Sequence, residues 1–340
     1  MHGYQFGLLA WEQRHVAARA DSILGALFVA PRPASDAAAL TAYLRAPTPA
    51  ARADARPAVA AALEAEITQE ATAEGLAIRL PFREPLLFPP VSTWIGPPPQ
   101  VLIVSPRDHI EVRDSTLLDP DLSVADAEQI EARADGTGVS SLVVPVGGLS
   151  TYPAMVVDST SPQTLIAMAA HEWAHGYLFF RPLGQAYFSS YEGRAINETV
   201  ADSFGRELGE RIAARLDLHL APPPSAPPPA PGFDANAYLR ETRRVVDGLL
   251  ARGQVDAAER YMEQRRRALV NAGFPIRKLN QAYFAFYGSY TQGPAAPSTS
   301  PIPDQVRRLR QESASLGDFL RRAAALRSAA DLARAVGDAP

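Results

Sequence analysis

Residues 171–175 read His-Glu-Trp-Ala-His, and Asn197-Glu198-Thr199-Val200-Ala201-Asp202 follows downstream. On an α-helix, residues i and i+4 lie on one face, so His171 and His175 can offer two imidazole nitrogens to one ion. Zinc takes four ligands in a tetrahedron at roughly 2.0–2.2 Å, and a catalytic site leaves one position to water. Glu172 lies about 100° around the helix from His171, beside the ion rather than on it. There its carboxylate can take a proton from a water whose pKa the ion lowers from about 15.7 toward about 7. One Zn2+ ion is therefore the cofactor these residues imply. The bland alternative is two core histidines and a buried, ion-paired Glu, and burying an unpaired carboxylate is costly.

Two helices must hold these groups. Ser161-Pro162 supplies an N-cap and a first-position proline, and 163–180 follows with Gly176 as its one glycine. Leu165, Ile166, Met168, Ala169, Trp173, Leu178 and Phe179 make this a helix buried on most sides, and Pro182 and Gly184 end it. A second helix is expected over 194–216. Glu198 and Asp202 are i and i+4 on it, so one can ligate while the other accepts the free ring N–H of a ligating histidine. Taken singly, Glu198 reads as a solvated charge and Asp202 as a partner of Arg206. Asn197-Glu198-Thr199 also matches a glycosylation acceptor, but a helix beside a buried metal is a poor one.

The pattern His-Glu-x-x-His followed by Asn-Glu-x-x-Ala-Asp resembles the gluzincin metallopeptidases, the thermolysin-like and aminopeptidase-like group. The resemblance covers 147–204. It implies an α+β, zincin-like fold: a small mixed β-sheet with an edge strand next to the active-site helix, and mostly helical N- and C-terminal parts. It implies zinc on His171, His175 and Glu198, Glu172 as base, and Asp202 supporting a histidine. Asn197 would brace the loop entering the second helix. The 23 residues from His175 to Glu198 exceed the thermolysin-type gap and suggest a longer loop around 182–194.

The residues before the first metal helix fit this plan. Segment 141–146 is β-rich, Gly147-Gly148 follows, and 149–157 reads as a strand whose Pro153 cannot donate a ladder bond, which makes it an edge. An edge can pair with an extended peptide. Gly148, Leu149, Ser150, Thr151 and Ala154 are thus expected to bind substrate, against the alternative of an ordinary edge with a glycine bulge. The tetrahedral intermediate also needs a hydrogen-bond donor. Gluzincins similarly use a Tyr or His from the C-terminal part. Here 279–290 carries Asn280, Tyr283, Tyr287 and Tyr290 at helical spacing, with Tyr283 or Tyr287 as the expected donor and an aromatic core stripe as the alternative. No histidine follows His219, and His109 and His219 are expected to be structural or exposed.

Composition bounds the rest. The chain has 340 residues, 47% of them hydrophobic, with a net charge of −4 and no cysteine. It can bury a sizeable core and has no disulfide framework and no thiol chemistry. Charges of both signs are interspersed, so nothing points to nucleic acid, and Arg265-Arg266-Arg267 reads as a solvated helix face. The early apolar run 23–30 is too short for the roughly 20 residues of a membrane span. The chain begins as if within an amphipathic helix over 4–27. We therefore expect a piece of a longer chain, extracytoplasmic or membrane-tethered in its full form and otherwise cytoplasmic.

Four regions are expected. Residues 1–98 are helical, with Ala-rich segments broken by Pro47, Pro49 and Pro57, and end in an irregular proline-rich stretch. Residues 99–220 form the catalytic core, with strands at 100–105, 109–117, 139–146 and 151–158 and a helix at 123–135. Residues 221–232 form a polyproline linker. Residues 233–340 are a helical C-terminal subdomain, with helices at 234–251, 255–272, 275–290, 303–312, 316–326 and 328–336. The expected activity is zinc-dependent hydrolysis of a peptide or protein substrate. The alternatives are a zinc amidohydrolase on a non-peptide substrate and a catalytically silent binding protein on the same scaffold. An aminopeptidase would need an acidic anchor for the α-ammonium, for which Glu192 or Glu207 stands in the sequence.

Overall fold

The computed structural model describes residues 3–28, 37–46, 48–79, 81, 85–159, 161–218, 233–288 and 300–338. The linker 221–232, His219 and Tyr290 lie outside them. The described chain is mixed α and β, with helices predominating and two three-stranded sheets. None of its helices is long and apolar enough to cross a membrane.

The chain opens with helices α1 (Leu8–Arg14), α2 (Val16–Phe28), α3 (Ala37–Leu44) and α4 (Pro49–Ala73). Two of the prolines expected as breakers lie within α4 instead. Thr48 caps it by accepting from the Ala51 N–H, Pro49 takes the first position, and the helix runs on through Pro57. A proline inside a helix costs about 3 kcal/mol. Val59, Leu63, Ile67 and Ala71, fully buried at helical spacing, offset it.

The strands make two small sheets. Strands β1 (Thr93–Ile95), β2 (Gln100–Ser105) and β3 (Asp114–Leu118) precede helix α5 (Val124–Asp135). Ser123 and Asp126 form a capping box at the start of α5. Then come β4 (Ser140–Pro145), β5 (Gly148–Leu149) and β6 (Ala154–Val156). The first sheet has the order β3-β2-β4, antiparallel throughout. Side chains alternate across it, as the two-residue strand period requires. Leu102, Leu118 and Val143 pack with Ile130 of α5, while Val101, Ile103, Leu142 and Val144 face the other way.

The second sheet has the order β1-β6-β5, with β1 and β6 parallel and β5 antiparallel on the outside. The single edge strand expected over 149–157 is therefore two strands joined by a turn at 150–153. Ala154 belongs to the central strand β6 and is buried. The outer strand is Gly148–Leu149. Pro153 breaks the ladder and so ends the strand at the turn rather than marking an edge.

Helix α6 (Pro162–Phe179) follows, with Ser161 accepting from the Thr164 N–H at its N-cap. Residues 182–189, expected as loop, form helix α7 (Pro182–Ser189), which Pro182 starts at its first position. Helix α8 (Tyr191–Arg215) begins at the Ser190 cap and lies along α6. Gly205 makes this approach close. A Cβ there would come 2.5 Å from the Ala167 carbonyl and 2.8 Å from the His171 amide nitrogen. Leu165, Ile166, Phe204 and Leu208 bury fully in the resulting core.

The last helices divide between two cores. Helices α9 (Ala235–Leu250), α10 (Val255–Asn271) and α11 (Gln281–Tyr287) form their own cluster around Val246, Met262, Leu269 and Phe284. The helix expected from 275 starts only at Gln281, where the Asn280 side chain accepts from the Tyr283 N–H. Helices α12 (Ile302–Gln311), α13 (Leu316–Ala324) and α14 (Ala329–Ala335) join α4, α6 and α8 through Val306, Phe319 and Leu332. The region 233–340 thus contributes to two packing units.

Candidate metal centre

Three side chains converge where α6 and α8 meet. His171 and His175 stand a turn apart on α6, and Glu198 comes from α8. The two Nε2 atoms are 3.0 Å apart, and Glu198 Oε2 lies 3.6 Å from that of His171 and 3.4 Å from that of His175. Three donors about 2.1 Å from one centre at tetrahedral angles stand about 3.4 Å apart, which is the spacing found. Glu198 Oε2 is buried and accepts no hydrogen bond. An orphaned carboxylate oxygen facing two nitrogens is explained by a cation between them. The trio His171, His175 and Glu198 can hold a metal ion.

The tautomer is fixed for ligation. Asn197 is buried, and its Nδ2 donates to the Leu183 carbonyl, 3.3 Å away. A carbonyl can only accept, so Oδ1 must face His175, where it accepts from Nδ1 at 2.7 Å. In the neutral ring, Nε2 of His175 then carries its lone pair toward the centre. Asn197, expected to brace a loop, thus orients a histidine of the trio. Asp202, expected in that role, makes no hydrogen bond to either ring among the described residues. It sits a further turn along α8, beyond the contact.

Charge is concentrated here. Burial opposes charging His175, but the Glu198 carboxylate outweighs it and raises the histidine pKa to about 9. Burial alone would raise Glu198, yet the charges of His175 and His171 hold it well below the carboxylate range. Glu172 is buried and makes no ligand contact. Burial raises its pKa, against the pull of the two histidines. A raised carboxylate beside a metal-binding trio suits a group that exchanges protons near neutrality.

These groups line a cavity of about 670 Å³. Gly148, Leu149, Ser150 and Thr151 form part of its wall, and Ala154 does not. Ser150 Oγ donates to the Glu172 carbonyl at 3.1 Å, tying the turn to the metal helix. Helices α1 and α2 close another side with Glu12, Arg19 and Ile23; Glu12 and Arg19 pair with one another, and Arg19 also donates to the Tyr152 carbonyl. Phe88, Phe179, Phe180 and Phe188 form an exposed aromatic mouth, with Phe88 and Phe180 5.3 Å apart. An exposed apolar patch at a cavity marks a binding surface.

The expected tyrosines are elsewhere. Tyr283 and Tyr287 pack against the first sheet and the α9–α11 cluster, and neither is in the cavity wall, where Phe286 of the same helix stands. Burial pushes Tyr283 up to about 12. Their spacing therefore belongs to an aromatic core stripe. The tyrosine at the centre is Tyr187, on the α7 that was expected as loop. Its hydroxyl donates to Glu198 Oε1 at 3.1 Å, and burial raises its pKa, keeping it a donor. Its one sequence signal was position, between the second histidine and Glu198.

The acidic anchors considered for an α-ammonium are also placed. Glu192 is exposed and outside the wall, and Glu207 accepts from Arg211 and Arg310 at 2.6–2.7 Å. His109 is exposed between Asp108 and Glu111. Arg265 is not on a solvated face, since its guanidinium lies 3.2 Å over the Tyr238 ring. Comparison with known family models, curated proteins and solved structures finds no match to this chain, so the functional reading stands on the site itself.

Proposed function

We propose that this protein is a zinc metallopeptidase of gluzincin type with a zincin-like core. The observation that carries the reading is the triangle of His171 Nε2, His175 Nε2 and Glu198 Oε2, with edges of 3.0–3.6 Å and the buried Glu172 carboxylate beside it. When bound, zinc supplies Lewis-acid chemistry, lowering the pKa of a water to about 7 and polarising a carbonyl oxygen. Glu172 accepts the proton of the attacking water and passes it to the leaving amine. Asn197 holds His175 in its ligating tautomer. Tyr187 gives its one hydroxyl proton to Glu198 Oε1 and so steadies the third ligand. The outer strand Gly148–Leu149 supports peptides over other amides, because its free edge can pair with an extended main chain. The aromatic mouth fits apolar side chains.

The test is mass-spectrometric profiling of a mixed peptide library by zinc-loaded protein, with Glu172→Gln as control. Cleavage by the parent and none by the variant, at equal zinc content, is the expected result. Equal cleavage by both would remove Glu172 as base and the mechanism with it. Unchanged metal content in His175→Ala would remove that ligand.

A further inference from the structure

The charged side chains in the cavity wall, apart from the histidines, are Glu12, Arg19, Glu172, Arg194 and Glu198 among the described residues. Four have assigned partners or roles: Glu12 and Arg19 pair with one another, Glu198 belongs to the ligand trio, and Glu172 stands beside it. Arg194 remains. It is half-buried and pairs with no carboxylate among the described residues, and its guanidinium carbon lies 5.1 Å from the centre of the Tyr187 ring. Arginines elsewhere at comparable burial, such as Arg277 and Arg310, each meet a carboxylate. A half-buried guanidinium with only an aromatic face beneath it has donors to spare.

Its position gives those donors a use. Arg194 precedes Glu198 by four residues on α8, one turn or about 6 Å along the axis and on the same face. Tyr187 joins the two, with its ring beside the guanidinium and its hydroxyl 3.1 Å from Glu198 Oε1. The planar fork of an arginine matches a carboxylate with two parallel hydrogen bonds. The opposite arrangement, an acidic anchor for an α-ammonium, has no free carrier among the described residues of the wall, because Glu12 is paired, Glu207 is held by two arginines and Glu192 lies outside the wall.

We propose that Arg194 binds a carboxylate of the substrate, so that the cleaved bond lies within a residue or two of a C-terminal carboxylate or an acidic side chain. The proposal rests on the metallopeptidase reading above and adds a substrate class to it.

The test is isothermal titration of the full chain carrying Glu172→Gln, zinc-loaded, with four probes: acetyl-Ala-Phe-Phe as free acid, the same peptide as C-terminal amide, acetyl-Ala-Phe-Glu-amide, and 3-phenylpropanoate, which has no peptide bond. Arg194→Gln and Arg194→Lys are compared on that background, with thermal midpoints as the folding control. We expect the free acid to bind at least about tenfold more tightly than the amide, from the two charge-assisted bonds. Arg194→Gln should shrink the gap below about twofold, and Arg194→Lys should restore part of it. The same Arg194-dependent preference for the Glu-amide alone supports the proposal with an acidic side chain as the source. Equal binding of acid and amides, or a gap that survives Arg194→Gln, overturns it. The proposal and the peptidase reading fail separately. Arg194-dependent binding of 3-phenylpropanoate with no peptide bound keeps the anion site and sinks the peptide reading. Peptide binding indifferent to Arg194 does the reverse.

Discussion

The carboxyl group of Glu172 rests on the α-carbon of Gly148: a Cβ built there would stand 2.3 Å from Oε1 and 2.7 Å from Cδ. The outer strand and the carboxyl proposed as base are thus set against each other with no room for a methyl group. The atom that would yield is the end of a side chain rather than backbone, so the fold can absorb the change while Glu172 cannot keep its place.

Gly148→Ala should therefore leave zinc content and thermal stability near those of the parent and lower kcat. A displacement of about 1 Å at a reacting group costs roughly a hundredfold. Parallel metal analysis and kinetics check this, and unchanged kcat would show that the position of Glu172 is not set by the glycine.

Asn197 and Asp202 can be separated by metal affinity. Asn197→Leu removes the acceptor that holds His175 Nδ1–H and should weaken zinc binding by about 10–100-fold, whereas Asp202→Asn should change it by less than about twofold. Competition with a chelator measures both. A larger loss from Asp202→Asn would restore that residue to the role the family pattern implies.

Metal binding should release a proton. Against burial, Glu198 raises His175 to about 9, so below that pH the metal-free site holds a protonated His175. The ion must expel this proton, so affinity should rise about tenfold per pH unit through neutrality and level off above about pH 9. Titration in buffers of different ionisation enthalpy counts the proton. Affinity flat across neutrality would break the link.

The far edge of the first sheet carries a pH-dependent clamp. Buried Glu131 accepts from Arg277 at 2.6–2.8 Å and from the Val143 N–H at 2.6 Å. Burial works to raise Glu131, and these bonds, with the charges of Lys278 and Arg277, outweigh it and leave the carboxyl below its ordinary range. A depressed folded pKa gives stability that is present above the unfolded value of about 4.3 and lost as pH falls through the folded one. Arg277→Met leaves the buried carboxylate with Lys278 at 3.5 Å and the Val143 N–H and should cost about 2 kcal/mol at neutral pH. That deficit should shrink in urea unfolding below about pH 4. A deficit that stays constant would detach stability from the Glu131 charge.

The sequence by itself determined the parts of this protein that depend on short spacings. The i, i+4 placement of His171 and His175 follows from helical period, and Ser161-Pro162 and Ser123 set helix starts that the structure keeps within a residue. That Glu198 joins the two histidines was expected only from the resemblance to the gluzincin pattern, since the i, i+4 spacing left Glu198 and Asp202 open, and the structure brings Glu198 to them. Tertiary structure alone decided which neighbours meet. Tyr283 and Tyr187 were equally tyrosines on paper, and the docking of α11 on a sheet and of α7 beside the centre separated them. Asn197 rather than Asp202 met His175 because Gly205 lets α8 approach α6 at one depth and one rotation. Arg194 stood out only once every other charge in the cavity wall had been given its place. Such choices depend on contacts between residues far apart in the chain, where a side chain's partner is set by how whole elements pack and not by its neighbours in sequence.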